Sequence, residues 1–153
     1  MSGLELKIPP PAVALLMACA MWGASLAAPM AYMADGTRVL AAIAIAIAGI
    51  ATAISGVIAF RRARTTVNPL KPETSSSLVT SGIYRFTRNP MYVGLTLVLL
   101  GWAVFLPSAW TLLGPLVFVF YMTRFQIVPE ERALAGLFGA TYSEYQANVR
   151  RWI

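Results

Sequence analysis

Hydrophobic residues are gathered into four long runs along the chain, and most polar residues fill the stretches between them. The runs cover about residues 11–33, 39–60, 91–106 and 109–128. Each comes close to the roughly 20 residues that a helix needs to span a bilayer, although the third is short. Only Pro107 and Ser108 separate the third run from the fourth, which predicts a helical hairpin. The pattern predicts four transmembrane helices in a single membrane domain, 1–153.

The pattern changes after the fourth run. Pro129 suits the first position of a helix, and the acidic pair Glu130 and Glu131 suits its first turn. Apolar and aromatic residues then recur at helical spacing, namely Leu134, Phe138, Tyr142, Tyr145 and Val149. This predicts an amphipathic helix over about 129–151, interrupted near Gly139 and lying against the cytoplasmic face of the bundle. The predicted fold class is therefore an all-α integral membrane protein.

Small residues recur every four positions in the second run. They are Ala44, Ala48, Thr52 and Gly56. A stripe of small side chains on one helix face lets a neighbouring helix approach closely in lipid. This favours tight packing inside the bundle over a dimer contact or a cofactor groove, and the oligomeric state is left open.

The charge distribution predicts the orientation of the spans. The net charge is +6, but only 12% of the residues are charged, about half the usual share of a soluble domain. The basic residues flank the apolar runs, mostly in the central loop and after the fourth run, which indicates contact with membrane lipids and not with nucleic acid. The positive-inside rule then predicts a multi-pass protein with the central loop and both termini in the cytoplasm. The first run lacks a basic leading segment, so we expect it to remain as a span and not to be cleaved as a signal peptide.

Histidine is absent and there is one cysteine, Cys19. An intrachain disulfide is therefore impossible. The missing histidine argues against a zinc site and against Ser-His chemistry, so no metal is predicted.

A polar stretch, 84–94 (YRFTRNPMYVG), stands where the third apolar run begins. A membrane anchor explains part of it, because Arg85 and Arg88 can reach lipid phosphates and Pro90 can start a helix. That reading leaves other residues without a reason, namely Asn89, Tyr92 and Gly94. An interfacial helix likewise explains the end of the chain better than it explains Glu130 and Glu131.

Two segments in order, GIYRFTRNPMYVG and EERALAGLFGATYSEYQANVRRW, are separated by the predicted hairpin. In this arrangement the chain resembles the isoprenylcysteine carboxyl methyltransferase family and its relatives, the phospholipid N-methyltransferases. The matching positions are Gly82, Tyr84, Arg88, Pro90, Tyr92 and Gly94, then Glu130, Glu131, Leu134, Phe138, Gly139, Tyr142, Tyr145, Val149 and Arg150. The resemblance covers about half of the chain, from Leu78 to the C-terminus.

The resemblance implies an integral-membrane methyltransferase that uses S-adenosylmethionine. Glu130 and Glu131 would then meet the ammonium of this donor, and Arg88 or Arg85 its carboxylate. The other implied cofactor contacts are Tyr84 or Tyr92 at the adenine or sulfonium, Gly94 at a close approach, and the helix-starting residues Asn89 and Pro90. The residues implied in catalysis are Arg88 and Glu131, with Glu144 and Arg150 shaping the acceptor site.

Asn89 departs from the family pattern, which has histidine at this position in many members. Asparagine can donate and accept hydrogen bonds but cannot titrate. We therefore expect position 89 to orient the cofactor and not to carry a proton.

The acceptor implied by the resemblance is a lipophilic molecule in the bilayer. A carboxylate acceptor is ionised near neutral pH and needs no general base, whereas an amine must first lose a proton. A chain without histidine therefore favours a carboxylate. The alternatives are a phospholipid amine or a small thiol as acceptor, and a non-enzymatic membrane protein that serves in binding or assembly.

Overall fold

Five α-helices build the part of the chain that the computed structural model describes, residues 5–27, 35–64, 70 and 72–153. They are α1 (Pro10–Ala27), α2 (Asp35–Arg62), α3 (Pro90–Phe105), α4 (Leu113–Met122) and α5 (Val128–Asn148). Short 3-10 helices cover Pro72–Thr74, Gly82–Arg85 and Ala109–Leu112, and a π-helix covers Thr123–Ile127. The described residues include no β-strand, and the predicted all-α class is confirmed.

Three helical stretches are long and apolar enough to cross a membrane: Pro10–Ala27, Gly36–Arg62 and Ala109–Asn148. α3 is shorter, with 16 residues, but it is equally apolar. The large hydrophobic side chains that α2 exposes are isoleucines and a leucine, which is expected of a surface that faces lipid. The helices lie within the four predicted spans or overlap them. Residues 28–33, the end of the first predicted span, lie outside the described residues.

The core of the bundle lies where α1, α3 and α4 meet. Phe118, Met122 and Ile127 are fully buried, and α3 contributes Leu99 and Ala103. On the opposite side α3 packs along α2, and this contact is the most extensive between any two described helices. α3 is thus held on both sides, which fixes the position of its first turn.

Glycines bring the backbones of α2 and α3 together. A Cβ atom added at Gly94 would lie 2.6 Å from the carbonyl oxygen of Gly49, and one at Gly101 would lie 2.8 Å from that of Ala42. The predicted close packing of α2 is therefore present, but the stripe was placed wrongly. The contact face includes Ala42, Ala46, Gly49, Ala53 and Gly56, whereas Ala44 and Ala48 are exposed.

The hairpin between α3 and α4 turns at Pro107 as predicted. The Ser108 N–H donates to the Leu106 carbonyl at 2.9 Å, and a 3-10 helix then leads into α4. The buried Thr111 hydroxyl lies within hydrogen-bond distance of the carbonyls of Ala103 and Ser108, at 3.0 and 2.6 Å. These bonds satisfy polar backbone groups at the tip of the hairpin.

No break separates the fourth span from the helix after it, contrary to the two elements predicted over 109–128 and 129–151. The π-helix joins them, with the Val128 N–H donating to the Thr123 carbonyl five residues earlier. Pro129 has no N–H to offer the Phe125 carbonyl, which instead accepts the Leu6 N–H at 3.1 Å. The N-terminal segment therefore satisfies a carbonyl that the proline leaves free.

α5 bends at Gly139, where φ is 50° and ψ is −125°. A residue with a side chain rarely adopts such a conformation, so glycine is favoured here. The bend confirms the predicted interruption. It directs Tyr142 and Tyr145 toward the Gly82–Arg85 turn, and the Tyr145 hydroxyl donates to the Tyr84 carbonyl at 2.7 Å.

Candidate active site

A cleft lies beside the first turn of α3. Its walls come from the end of α2, the segment that precedes α3, and α5. The cleft is lined by six of the predicted site residues, Tyr84, Arg88, Asn89, Tyr92, Glu130 and Glu131, together with apolar residues such as Phe60, Met91 and Leu134. The two sequence motifs therefore meet at one place, although about 40 residues of hairpin separate them.

Tyr84 is held in the wall of the cleft by the 3-10 helix Gly82–Arg85. Gly82 has φ of +62°, a turn conformation that glycine adopts easily. The Tyr84 ring packs edge-on against Phe60 with 5.3 Å between the ring centroids. Burial raises the pKa of Tyr84 above its ordinary value, so its phenol stays neutral.

Arg88 is anchored in the cleft by its terminal nitrogens. Nη2 donates to Glu131 Oε1 at 2.9 Å, and Nη1 donates to the Gln146 carbonyl at 3.1 Å. The ion pair is largely buried, with the two side chains 11% and 12% exposed. The third nitrogen of the guanidinium, Nε, is buried, and its N–H has no hydrogen-bond partner among the described residues.

Glu131 is neutralised by two arginines. Besides Arg88, it receives Arg151, whose Nε donates to Oε1 at 2.9 Å and whose Nη2 donates to Oε2 at 2.6 Å. The hydrogen bond to Glu131 raises the pKa of Arg151, which stays charged. Glu131 therefore acts as a bridge between two guanidinium groups and has little charge left for a third partner.

Glu130 has neutral partners. The Tyr92 hydroxyl and Gln126 Nε2 both donate to its Oε1, at 2.5 and 2.7 Å. Over the described ranges no lysine or arginine forms an ion pair with it. Glu130 follows the apolar part of the helix, which ends at Val128, and burial raises its pKa to about 7. Its carboxylate is therefore the group in the cleft that most lacks a cation.

Asn89 lies at the edge of the cleft and faces the end of the chain. Its backbone N–H donates to the Thr87 hydroxyl at 3.1 Å, and its side-chain Nδ2 donates to the Arg151 carbonyl at 2.9 Å. Pro90 then starts α3, as the sequence predicts. The Asn89 amide is thus partly occupied by a contact within the protein.

A family model described as phospholipid methyltransferase matches residues 37–141, more than half of the chain. The chain belongs to the phospholipid methyltransferase family. An uncharacterized protein of Haemophilus influenzae is 40% identical over 63 residues, which are 41% of this chain and the whole of that relative. No solved structure matches the chain. The family membership confirms the resemblance drawn from the two motifs.

As a member of this family the protein is a membrane methyltransferase.

Four of the residues predicted for its site do not line the cleft. Gly94 faces α2, since a Cβ atom added there would lie 2.6 Å from the Gly49 carbonyl oxygen and 2.7 Å from the Ala53 backbone nitrogen. Pro90 is buried close to Gly56. Glu144 and Arg150 expose their side chains, and Arg150 takes part through its carbonyl, which accepts the Arg88 N–H at 3.0 Å.

Sequence reasoning missed four polar residues of this family member's site. Tyr142 and Tyr145 line the cleft, although they were assigned to the apolar face of the last helix and to the matching positions of the second motif without a role in the site. Gln126 supports Glu130, and Arg151 supports Glu131. Gln126 could have been found, because it is a polar residue at the end of an apolar run and four positions before Glu130. The resemblance pointed to Arg150 and not to Arg151, whose side chain is the one that contacts Glu131.

Proposed function

We propose that this protein transfers a methyl group from S-adenosylmethionine to a carboxylate on a lipophilic acceptor, at the cytoplasmic boundary of the membrane. The observation that carries the proposal is the pairing, in one cleft, of the Glu130 carboxylate, which forms no ion pair with a described residue, and the Arg88 Nε–H, which has no hydrogen-bond partner in the same part of the chain. These groups are complementary to the ammonium and the carboxylate of the donor. When bound, S-adenosylmethionine supplies an activated methyl group on a sulfonium.

The residues of the cleft fit this donor. Glu130 would receive the ammonium, because its carboxylate lacks a cation and is held in place by Tyr92 and Gln126. The Nε–H of Arg88 would donate to the donor carboxylate in a charge-assisted hydrogen bond. The ring of Tyr84 provides an aromatic wall, and aromatic faces attract cations such as a sulfonium.

The position of the cleft suits an acceptor from the bilayer. It lies where α2 ends and α3 begins, so an apolar tail could stay in lipid while its reactive head reaches the cleft. The surrounding aromatic and apolar residues exclude water and orient the reacting groups, which is most of what a direct displacement requires. A carboxylate is proposed as the acceptor group because it is ionised near neutral pH and needs no general base. An amine would need one, and the chain has no histidine, while Glu130, with its pKa raised to about 7, is assigned here to the donor ammonium.

Radiolabelled methyl donor tests this proposal directly. Purified protein in vesicles, supplied with membrane lipid extract, should move the label from the donor into the lipid-soluble fraction. Mild alkali should then release the label as methanol, because an ester is hydrolysed whereas a methylated amine or thioether is not. Alkali-stable label would replace the carboxylate with an amine or thiol acceptor.

Two variants make the assay specific to the cleft. Glu130→Gln should reduce transfer at subsaturating donor by about tenfold or more, since a hydrogen bond to a charged group contributes about 1.5–3 kcal/mol. Glu73→Gln makes the same charge change at an exposed residue and should transfer like the wild type. Absence of label from every lipid-soluble product would contradict the proposed reaction.

A further inference from the structure

The last residues of the chain cross over residues 87–89, which precede α3 and belong to the first motif. We call residues 149–152 the strap. The Arg88 N–H donates to the Arg150 carbonyl at 3.0 Å, and Asn89 Nδ2 donates to the Arg151 carbonyl at 2.9 Å. The Thr87 hydroxyl lies 3.4 Å from the same Arg151 carbonyl. Three consecutive residues of the motif therefore contact the backbone of the strap.

The Arg151 side chain turns back from the strap toward Glu131. Its guanidinium binds both oxygens of Glu131, and Glu131 in turn binds Nη2 of Arg88. Because Arg88 and Asn89 both contact the strap backbone, these bonds form a closed ring. The ring links the first motif, the start of α5 and the end of the chain.

The strap is fixed at both ends. It begins where α5 ends, with the Val149 N–H donating to the Tyr145 carbonyl. It finishes at Trp152, which packs against the core and donates its indole N–H to the Thr123 hydroxyl at 3.1 Å. Thr123 is the first residue of the π-helix, so the strap is held by the same helix that carries Glu130 and Glu131.

We infer that Arg151 is a positioning residue for the donor site and orients Arg88 through Glu131. The inference rests on the proposed function and adds to it a residue that does not line the cleft. An arginine side chain loses considerable rotamer freedom when it binds a ligand, and fixing it beforehand improves affinity. Two anchors hold the Arg88 guanidinium, the Gln146 carbonyl and Glu131, and they leave Nε–H available. Without Arg151, Glu131 would lose a bidentate partner and hold Arg88 less firmly.

The same geometry gives Asn89 a role that does not require titration. Its amide N–H donates to a strap carbonyl, and a neutral imidazole N–H could make a similar bond. Histidine and asparagine at this position could therefore both hold the strap.

The test compares two ligands that differ by one group. S-adenosylmethionine and its decarboxylated form share the sulfonium and the ammonium, but only the first carries the carboxylate. Calorimetry on the purified full-length protein should show that the wild type binds the first at least tenfold more tightly. In Arg151→Gln this preference should fall to about threefold or less, while affinity for the decarboxylated form changes little. Arg62→Gln removes a charge at the exposed end of α2 and should keep the wild-type preference.

Each outcome decides between roles for Arg151. An equal loss of affinity for both ligands in Arg151→Gln, with the preference intact, would make the strap a purely structural element and overturn the inference. A wild type that binds both ligands equally would overturn it too, because Arg88 would then not bind the carboxylate. If Arg151→Gln does not fold, Arg151→Lys carries the comparison, since it keeps the charge and loses the bidentate geometry. If the wild type binds neither ligand, the proposed function is wrong, and the role inferred for Arg151 is wrong with it.

Discussion

Glu130 and Glu131 are neighbours in the chain with opposite electrostatic surroundings. Glu131 binds two guanidinium groups, whereas Glu130 accepts hydrogen bonds from a phenol and an amide. Successive residues of a helix point about 100° apart, so the pair can face different partners. At the residue scale the acidic pair therefore divides into one residue that organises the cleft and one that is available to a cation.

The titration of Glu130 leads to a prediction for donor binding. The raised pKa of about 7 means that Glu130 becomes ionised as the pH rises through neutrality. Because the ionised form attracts the donor ammonium, affinity should increase about tenfold or more between about pH 5.5 and 7.5. In this range the α-amino group of a ligand is still mostly charged. Calorimetry across the range measures this.

Glu130→Gln is the control for that titration. Glutamine keeps the shape and the acceptor oxygen but cannot ionise. The variant should bind weakly with no increase over the same pH range. A similar rise in both proteins would assign the titration to another group.

Asn89 gives a second prediction at this scale. Asn89→His should keep donor affinity within about threefold near pH 8, where imidazole is mostly neutral. Below about pH 6 the charged ring beside Arg88 should weaken binding. Asn89→Leu removes the shorter of the two hydrogen bonds to the Arg151 carbonyl, and only the 3.4 Å contact with the Thr87 hydroxyl remains. It should weaken donor binding about tenfold, because the strap would then hold Arg151, and through Glu131 also Arg88, less firmly.

Asn148→Leu is the matched control for Asn89, since it removes an amide from an exposed position. It should bind the donor like the wild type in the same titrations. Normal binding by Asn89→Leu would reduce Asn89 to a helix-start residue.

At the scale of elements, the packing of α3 on α2 is the contact that depends most on residue size. A Cβ at Gly94 would lie 2.6 Å from the Gly49 carbonyl oxygen and 2.7 Å from the Ala53 backbone nitrogen. Gly94→Ala should therefore force the helices apart and cost about 1–3 kcal/mol of stability. A lower midpoint of thermal unfolding in detergent would measure the cost.

Gly136→Ala provides the comparison for Gly94. Gly136 also lies in a helix, but no neighbouring atom is within 4 Å of an added Cβ. Alanine is the better helix former, so this variant should be unchanged or slightly more stable. Equal unfolding midpoints for Gly94→Ala and the wild type would show that the α2 contact can yield without cost.

The same contact shows where sequence reasoning reached its limit. The period of four correctly indicated that α2 packs closely, but residues four apart drift around a helix by about 40° per step. A continuous contact alternates steps of three and four, as Ala42, Ala46, Gly49, Ala53 and Gly56 do. The small residues of α2 predicted that another helix packs closely against it. Which face of α2 makes this contact depends on α3 and could not be predicted from α2 alone.

At the scale of the whole molecule, hydropathy predicted the apolar helices and the hairpin because burial in lipid depends mainly on composition. The position of the strap could not be predicted, since its contacts with residues 87–89 use backbone carbonyls that any residue carries. The division of roles between Glu130 and Glu131 also depends on distant partners, Tyr92 and Arg151. The two motifs predicted where the cleft lies but not which polar residues support it.

Topology is the prediction at this scale. We expect Ser76 and Ala109 on opposite sides of the membrane, because α3 lies between them. Ser76 comes before α3, and Ala109 lies at the tip of the hairpin that follows it. Single cysteines at these positions, introduced after replacing Cys19, should react with an impermeant reagent from opposite faces of vesicles. Modification of both from one face would contradict four spans with cytoplasmic termini.

The helical stretch from Ala109 to Asn148 has 40 residues, which corresponds to about 60 Å before its bend is counted. A bilayer core is about 30 Å thick, so this one continuous element is long enough to cross the lipid and to carry the two glutamates beyond it. In the proposed orientation the height of the cleft above the hydrocarbon would be set by the length of this helix and not by a loop that could adjust. Longer acyl chains would draw charged groups toward lipid, so hydrophobic mismatch should lower donor affinity in thicker vesicles. Donor binding by this protein should therefore depend on the thickness of the membrane that surrounds it.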